Sequence, residues 1–243
     1  SLAIQAVHTG HAWVETPDEV DALKDLYPAD PSAWTRLAAY RPLPPDQPAP
    51  TDPDLAALHT VAIDHPAREA ALAAGIPTLA LTDDPTSEAV RDQYETHPYP
   101  RLLSVHRKPP IPLGAQLRQL LPHVPDLPDP RAPRVLIAGC GTGQQILGSV
   151  ARTAGATALA VDLSRASLGV AARQLAAWGL EDRVTLRQTD ILALDDLDER
   201  FDLIECGGVL HHLADPLAGW RVLNGLLAPG GVMKIGLYAE HAR

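Results

Sequence analysis

The sequence predicts a doubly wound, Rossmann-like α/β sheet, mostly parallel, with a helical region on its N-terminal side, and three observations predict it. From Arg134 onward, short apolar runs alternate with stretches of helical periodicity. The first run breaks into three alternating glycines in VLIAGCGTGQQ, residues 135–145. The second run, in ALAVDLS, ends on an acid, Asp162.

In chain order, residues 1–100 read as short helices separated by prolines. PDEVDALKDLY, PSAWTRLAAY, PDLAALHTVAI, PAREAALAAGI and PTSEAVRDQYE each place Pro at or near a first helical position, where its missing N–H costs nothing. Between the second and third lies RPLPPDQPAPTDP, whose proline density forbids a helix and favours an extended linker. Residues 101–132 form a proline-rich connector with one short amphipathic helix near residues 113–121. Residues 133–243 then carry the strands RVLIA, TALAV, RVTLRQ, FDLIEC and GVMKIGLY, each nearly continuous in apolar residues, as strands covered on both faces are. QQILGSVARTAG, SRASLGVAARQLAAWG and PLAGWRVLNGLL supply the helices between them. The chain stops shortly after the fifth strand, so the sheet is expected to end there, truncated.

Composition narrows the function. The 243 residues are 46% hydrophobic and 21% charged, as in a globular protein, and no run approaches the roughly 18 apolar residues of a membrane span. With no secretory signal at the N-terminus, a cytoplasmic location is expected. A formal net charge of −10 opposes nucleic acid and anionic membranes as partners, since phosphate binding needs clustered Lys and Arg. Cys140 and Cys206 are too few and too far apart for a disulfide framework or a zinc site, and no metal is expected. The single methionine is Met233, so the sequence reads as a processed or truncated piece.

In an open α/β sheet a ligand sits beyond the carboxyl ends of the strands, where the first strand-to-helix turn meets it. Gly139, Gly141 and Gly143 occupy that turn, and their missing Cβ atoms let a ligand approach the main chain. Asp162 at the end of the second strand can accept hydrogen bonds from both hydroxyls of a ribose, or it can cap the following helix, a role Ser164 could also fill. The loop is G-x-G-x-G and lacks the spacing that seats a pyrophosphate, so these residues indicate a nucleoside without naming it.

Four segments recur in order: VLIAGCGTG, AVDLS, TDIL and FDLIECGGVLHHLADP followed by LLAPGG. Across about residues 134–237 that order resembles the class I S-adenosylmethionine-dependent methyltransferases. The resemblance implies S-adenosylmethionine as cofactor, held by Gly139, Cys140, Gly141 and Gly143 beneath its methionine and ribose portions and by Asp162 at the ribose. It further implies Asp190 at the adenine amino group, Leu163 and Ile191 against the adenine ring, and Cys206 and Gly207 beside the methionine moiety. LAPGG, residues 227–231, would be the turn before the fifth strand. VRDQYETHPYPR, residues 90–101, resembles a segment preceding the catalytic domain in a bacterial group of these enzymes, some carrying tetratricopeptide repeats; Tyr94, Tyr99 and Arg101 would then fold over the cofactor or substrate mouth. A helix stopped by Pro98, with two aromatics on the core, is the plainer alternative.

Methyl transfer needs alignment and, for some acceptors, removal of a proton. His211 or His212 could act as that base, with an unperturbed pKa of about 6.5, and His211 is the named candidate; adjacent residues point apart, so the pair makes no metal site. Neither the motif of exocyclic amino methylators nor a Pro-Cys nucleophile is present, and GGVLHHLADP resembles the family's small-molecule branch, which implies a small-molecule acceptor, while wobble-uridine tRNA enzymes share similar text. Rival expectations are a protein or tRNA methylator, marked by a basic groove near Arg101, Arg107 and Lys108, and an NAD-binding oxidoreductase or a non-catalytic nucleoside-binding module. The family's sheet has seven strands, so this chain is expected to be a fragment or to have its open edge covered by another chain, including a second copy.

Overall fold

The computed structural model describes residues 2–9, 11, 15–26, 30, 33–101 and 108–238. Tyr27 at the end of the first expected helix, Pro31 and Ser32 at the start of the second, and Arg107 of the expected basic groove lie outside the described residues.

The N-terminal half is helical, and each start has a local cause. α1 spans Leu2–His8, a helix the prolines do not signal. α2 (Pro17–Lys24) begins in a capping box, with Thr16 and Glu19 each satisfying the other's backbone N–H. α3 spans Trp34–Tyr40 and brings the fully buried Trp34 into a small core with Ala3, Leu37, Leu43 and Leu58. α4 (Pro53–His59) is capped by Asp52, and α6 (Pro85–Thr96) by Asp84, whose carboxylate accepts the Ser87 N–H at 2.8 Å. Instead of ending before Pro66, α4 continues through a π-helical stretch, Thr60–Asp64, straight into α5 (His65–Ala74). Pro66 cannot donate to the preceding turn, and the widened π turn absorbs that loss without breaking the rod. α7 (Leu113–Leu120) interrupts the proline-rich connector.

The sheet consists of β1 (Arg134–Ala138), β2 (Thr157–Asp162), β3 (Val184–Gln188), β4 (Phe201–Gly207) and β5 (Leu227–Gly236), all parallel in the order β3-β2-β1-β4-β5. Helices α8 (Gln144–Ser149), α9 (Arg165–Trp178) and α10 (Pro216–Gly225) alternate with the strands. The strand order reverses between β1 and β4, which places a crevice beyond their carboxyl ends. Two expected boundaries move. α8 stops at Ser149, short of Gly155, and LAPGG is no separate turn: β5 already pairs at Leu227 with Phe201, and a bulge before Val232 takes up the remaining residues.

The two halves are joined closely. A Cβ on Gly169 of α9 would stand 2.4 Å from the Glu69 carbonyl, so α5 lies against α9 nearly backbone to backbone. Beyond α5 the chain meets the outer edge of β3 at its last residue: the Leu79 N–H donates to the Gln188 carbonyl (2.9 Å) and the Gln188 N–H to the Pro77 carbonyl (3.0 Å). Arg165 holds this strap from beneath, donating to the Ile76 carbonyl (2.7 Å) and the Thr78 hydroxyl (2.6 Å). The carboxyl end of the β3 edge is therefore covered, while among the described residues β5 pairs only with β4.

Candidate functional site

At the switch point lies a cavity of about 510 Å³. Gly139, Cys140 and Gly141 of the loop after β1 line its floor, together with Thr142 and Gln145. All three loop glycines hold positive φ, +72° at Gly139, +52° at Gly141 and +98° at Gly143. At Gly139 the need is steric as well, since a Cβ would lie 2.3 Å from a methyl of Val209. Gly143 does not face the cavity; it starts α8 and lies against Ala171 of α9.

Asp162 closes β2 and faces the cavity, its carboxylate held on both sides: Oδ2 accepts the Gly141 N–H (2.7 Å) and Oδ1 the Ser164 N–H (2.9 Å). Burial raises its pKa above the usual carboxylate value, and the two N–H donors oppose that rise. The cap of α9 is Ser164, whose hydroxyl accepts the Ser167 N–H (3.0 Å), so Asp162 is not needed as a cap. Leu163, Asp190 and Ile191 line the same end. Asp190 is 1% exposed; its Oδ1 accepts the Leu192 N–H (2.9 Å) and its Oδ2 the Thr82 hydroxyl.

At the opposite end, Gly207 borders the cavity and its carbonyl accepts from Gln145 Nε2 at 2.8 Å, while Cys206 turns away. Cys206 packs in the core with Leu136 and Ile204, and Cys140 in the core with Ile137 and Ile146. Their strands adjoin as expected, but alternate residues of β1 serve opposite faces of the sheet, and the two thiols sit on different faces. Burial pushes the Cys206 thiol up to about 12 and raises that of Cys140 well above its ordinary value.

Of the neighbouring histidines, it is His212 that lines the cavity, edge-on to Tyr94 with 6.4 Å between ring centres. His211, the expected base, is not on the cavity wall; its ring lies 4.6 Å from that of Tyr238. The short 3₁₀ turn Leu210–His212 gives consecutive side chains different directions, and which of them faces inward was not readable from their spacing.

The segment VRDQYETHPYPR is tied to the strand tips. Tyr94 and Tyr99 line the cavity, and the Pro100 carbonyl accepts the Thr142 hydroxyl. Glu95 takes the Ser164 hydroxyl (2.8 Å) and the Ala166 N–H (2.6 Å), locking α6 over the start of α9. Arg101 corrects the expectation: it points away from the cavity and pairs with the buried Glu69 at 2.9 Å, a carboxylate that Arg173 also bridges at 2.8 Å. Arg101 therefore anchors the segment and offers no basic groove. Thr82, Gln145 and Tyr238 carry no motif and were not predicted; Gln145 stands two residues after Gly143 of the glycine loop, which is the one signal that could have found it.

The methyltransferase-domain family matches residues 136–233. These residues form a class I S-adenosylmethionine-dependent methyltransferase domain. Over a wider span, the chain is 35% identical to the uncharacterized protein syc1184_c of Synechococcus sp. (strain ATCC 27144 / PCC 6301 / SAUG 1402/1), covering 68% of this chain and 40% of that protein. A ubiquinone biosynthesis O-methyltransferase of Alkalilimnicola ehrlichii is 38% identical over 40% of this chain and 38% of its own length. Among solved structures the cyclase SpnF aligns with a TM-score of 0.47 and 24% identity, over 66% of this chain and 61% of its own. The chain thus spans about two fifths of the length of these curated relatives. No helix among the described residues of this methyltransferase-domain chain is long and apolar enough to cross a membrane.

Proposed function

We propose that this chain transfers a methyl group from S-adenosylmethionine to a neutral small molecule. One observation carries the reading: a carboxylate at the tip of β2, pinned by two backbone N–H groups, faces a cavity floored by a loop whose Gly139 leaves no room for a Cβ and whose Gly139 and Gly141 hold positive φ.

The residues present fit the cofactor. Asp162 would accept the ribose hydroxyls with its remaining lone pairs, and Asp190 would accept the adenine amino group between Leu163 and Ile191. Gln145 Oε1 and the Ser167 hydroxyl are buried with no hydrogen-bond partner among the described residues, although both side chains border the cavity; an orphaned amide oxygen suits an ammonium group. Gly139, Cys140, Gly141 and Gly207 would follow the remainder through their main chain. When bound, the cofactor supplies an activated methyl on a sulfonium, so the protein needs no nucleophile of its own.

At the other end the chain's own residues orient the acceptor and exclude water. Tyr94, Val209, His212, Leu213 and Tyr238 make a mostly aromatic and aliphatic mouth, and no Lys or Arg borders the cavity among the described residues. Such a mouth disfavours phosphate-bearing acceptors, which is why a small neutral molecule is favoured over tRNA. His212, in place of His211, is the candidate to take a proton from the acceptor. Among the described residues the outer edge of β5 is unpaired, and it would accept a further strand, including one from a second copy.

Calorimetry with S-adenosylhomocysteine and with NAD tests the cofactor, and a labelled methyl donor offered with metabolite pools tests the transfer. Tight NAD binding with none of S-adenosylhomocysteine would overturn the reading.

A further inference from the structure

Asp190 is held from outside its own domain. At 1% exposure a carboxylate persists only where donors surround it. One donor is local, the Leu192 N–H of its own turn. The other, the Thr82 hydroxyl on Oδ2, comes from a residue 108 positions earlier. The same strap also holds the surrounding main chain: the Asp190 N–H donates to the Ala80 carbonyl (3.0 Å), and the Thr189 hydroxyl donates to that carbonyl as well (2.7 Å). Pro77–Ala80 pairs with Gln188 at the end of β3 and with Asp190 beyond it, which brings Thr82 beside the acid.

The consequence follows from lone-pair bookkeeping. Each carboxylate oxygen accepts two hydrogen bonds, and each oxygen of Asp190 has one engaged within the protein. With both oxygens tied, the group cannot rotate freely, and the remaining capacity at the cavity wall is acceptor-only. An acceptor-only group recognises an exocyclic amine and repels a carbonyl oxygen in the same place.

We propose that Thr82 is a positioning residue that aims Asp190 at the nucleobase, so that the N-terminal strap takes part in reading the adenine amino group. The proposal rests on the S-adenosylmethionine reading above. Thr82 is not on the cavity wall; it would act through Asp190.

The test compares S-adenosylhomocysteine with S-inosylhomocysteine, in which a ring carbonyl replaces the amine, by calorimetry on the full chain. The wild type should prefer the adenosine ligand by at least about tenfold, the weight of one hydrogen bond to a charged group. Thr82→Val, which keeps the shape and removes the hydroxyl, should lose most of that preference, and Thr82→Ser should retain it. Thermal melting checks that each variant is folded, and Thr82→Ala replaces the valine variant if that one is not. Preservation of the full preference in folded Thr82→Val overturns the proposal. So does an equal loss of affinity for both ligands, which would make Thr82 merely structural. Equal binding of both ligands by the wild type overturns it too, by showing that Asp190 does not read the amine. Binding of neither ligand by the wild type is a different failure, that of the cofactor reading itself.

Discussion

The two ends of the cavity are built by different means. At the end proposed for the nucleoside, short polar side chains are fastened to main chain: Asp162 to the N–H groups of Gly141 and Ser164, Asp190 to that of Leu192. At the end proposed for the acceptor, side chains rest on one another: Tyr94 meets His212 edge-on, and the Tyr238 ring lies tilted against His211 while remaining 66% exposed. Backbone donors cannot wander, so the first end is preorganised for one ligand. Rings held by packing can shift with a few local changes, so the second end can be rebuilt for different acceptors while the first stays the same.

The largest expected effect tests the acceptor end. His212→Asn should lower turnover by about a hundredfold or more, as loss of a general base does, with affinity for S-adenosylhomocysteine unchanged. His211→Asn should do far less, and parity between the two variants would remove His212 from its role. Next comes the floor of the nucleoside end. Gly139→Val combines a strained positive φ with a collision against Val209, and the two together should weaken S-adenosylhomocysteine binding by about a hundredfold in calorimetry.

A smaller effect concerns pH. Burial raises the Asp162 pKa in the ligand-free protein, so its protonated form favours the fold; that stability is present below the ordinary value of 3.8 and is lost as pH rises through the raised one. Ribose hydroxyls donate to the ionised form and pull the pKa back down. Affinity for S-adenosylhomocysteine should therefore climb with pH through the acid range, by at most about tenfold per unit, and level off towards neutrality. A flat profile across that range would mean that Asp162 does not hold the ribose. The smallest effect is an absence of reaction. With both thiols buried and their pKa values raised, Cys140 and Cys206 should resist iodoacetamide in the native protein, as mass spectrometry of intact protein at mildly alkaline pH would reveal.

The parts that were legible in the sequence share a trait: their cause lies within a few residues of their effect. Pro at a helix start, Ser164 before α9, three glycines after an apolar run and an acid at a strand's end each state their role locally. The parts that were missed depend on distant neighbours. Nothing near Arg101 announces that Glu69 will claim it, and nothing near Thr82 announces Asp190. Pro66 looked like a helix boundary because a proline removes a backbone donor, and the residues around it give no sign of the π turn, Thr60–Asp64, that bypasses it. His211 and His212 could not be ranked, since a single 3₁₀ turn decides which ring faces the cavity.

By itself, the sequence determined the alternation of strands and helices, the bare glycine bend and the acid beside it, because hydrophobic period and backbone conformation are properties of neighbouring residues. Only the tertiary structure decided that a strap from the N-terminal half pairs with the end of β3 and ties down Asp190, and that Arg101 pairs with Glu69 and anchors its segment instead of opening a basic groove. Those outcomes depend on hydrogen bonds and ion pairs between residues tens of positions apart, and such partners exist for one another only after the chain has folded.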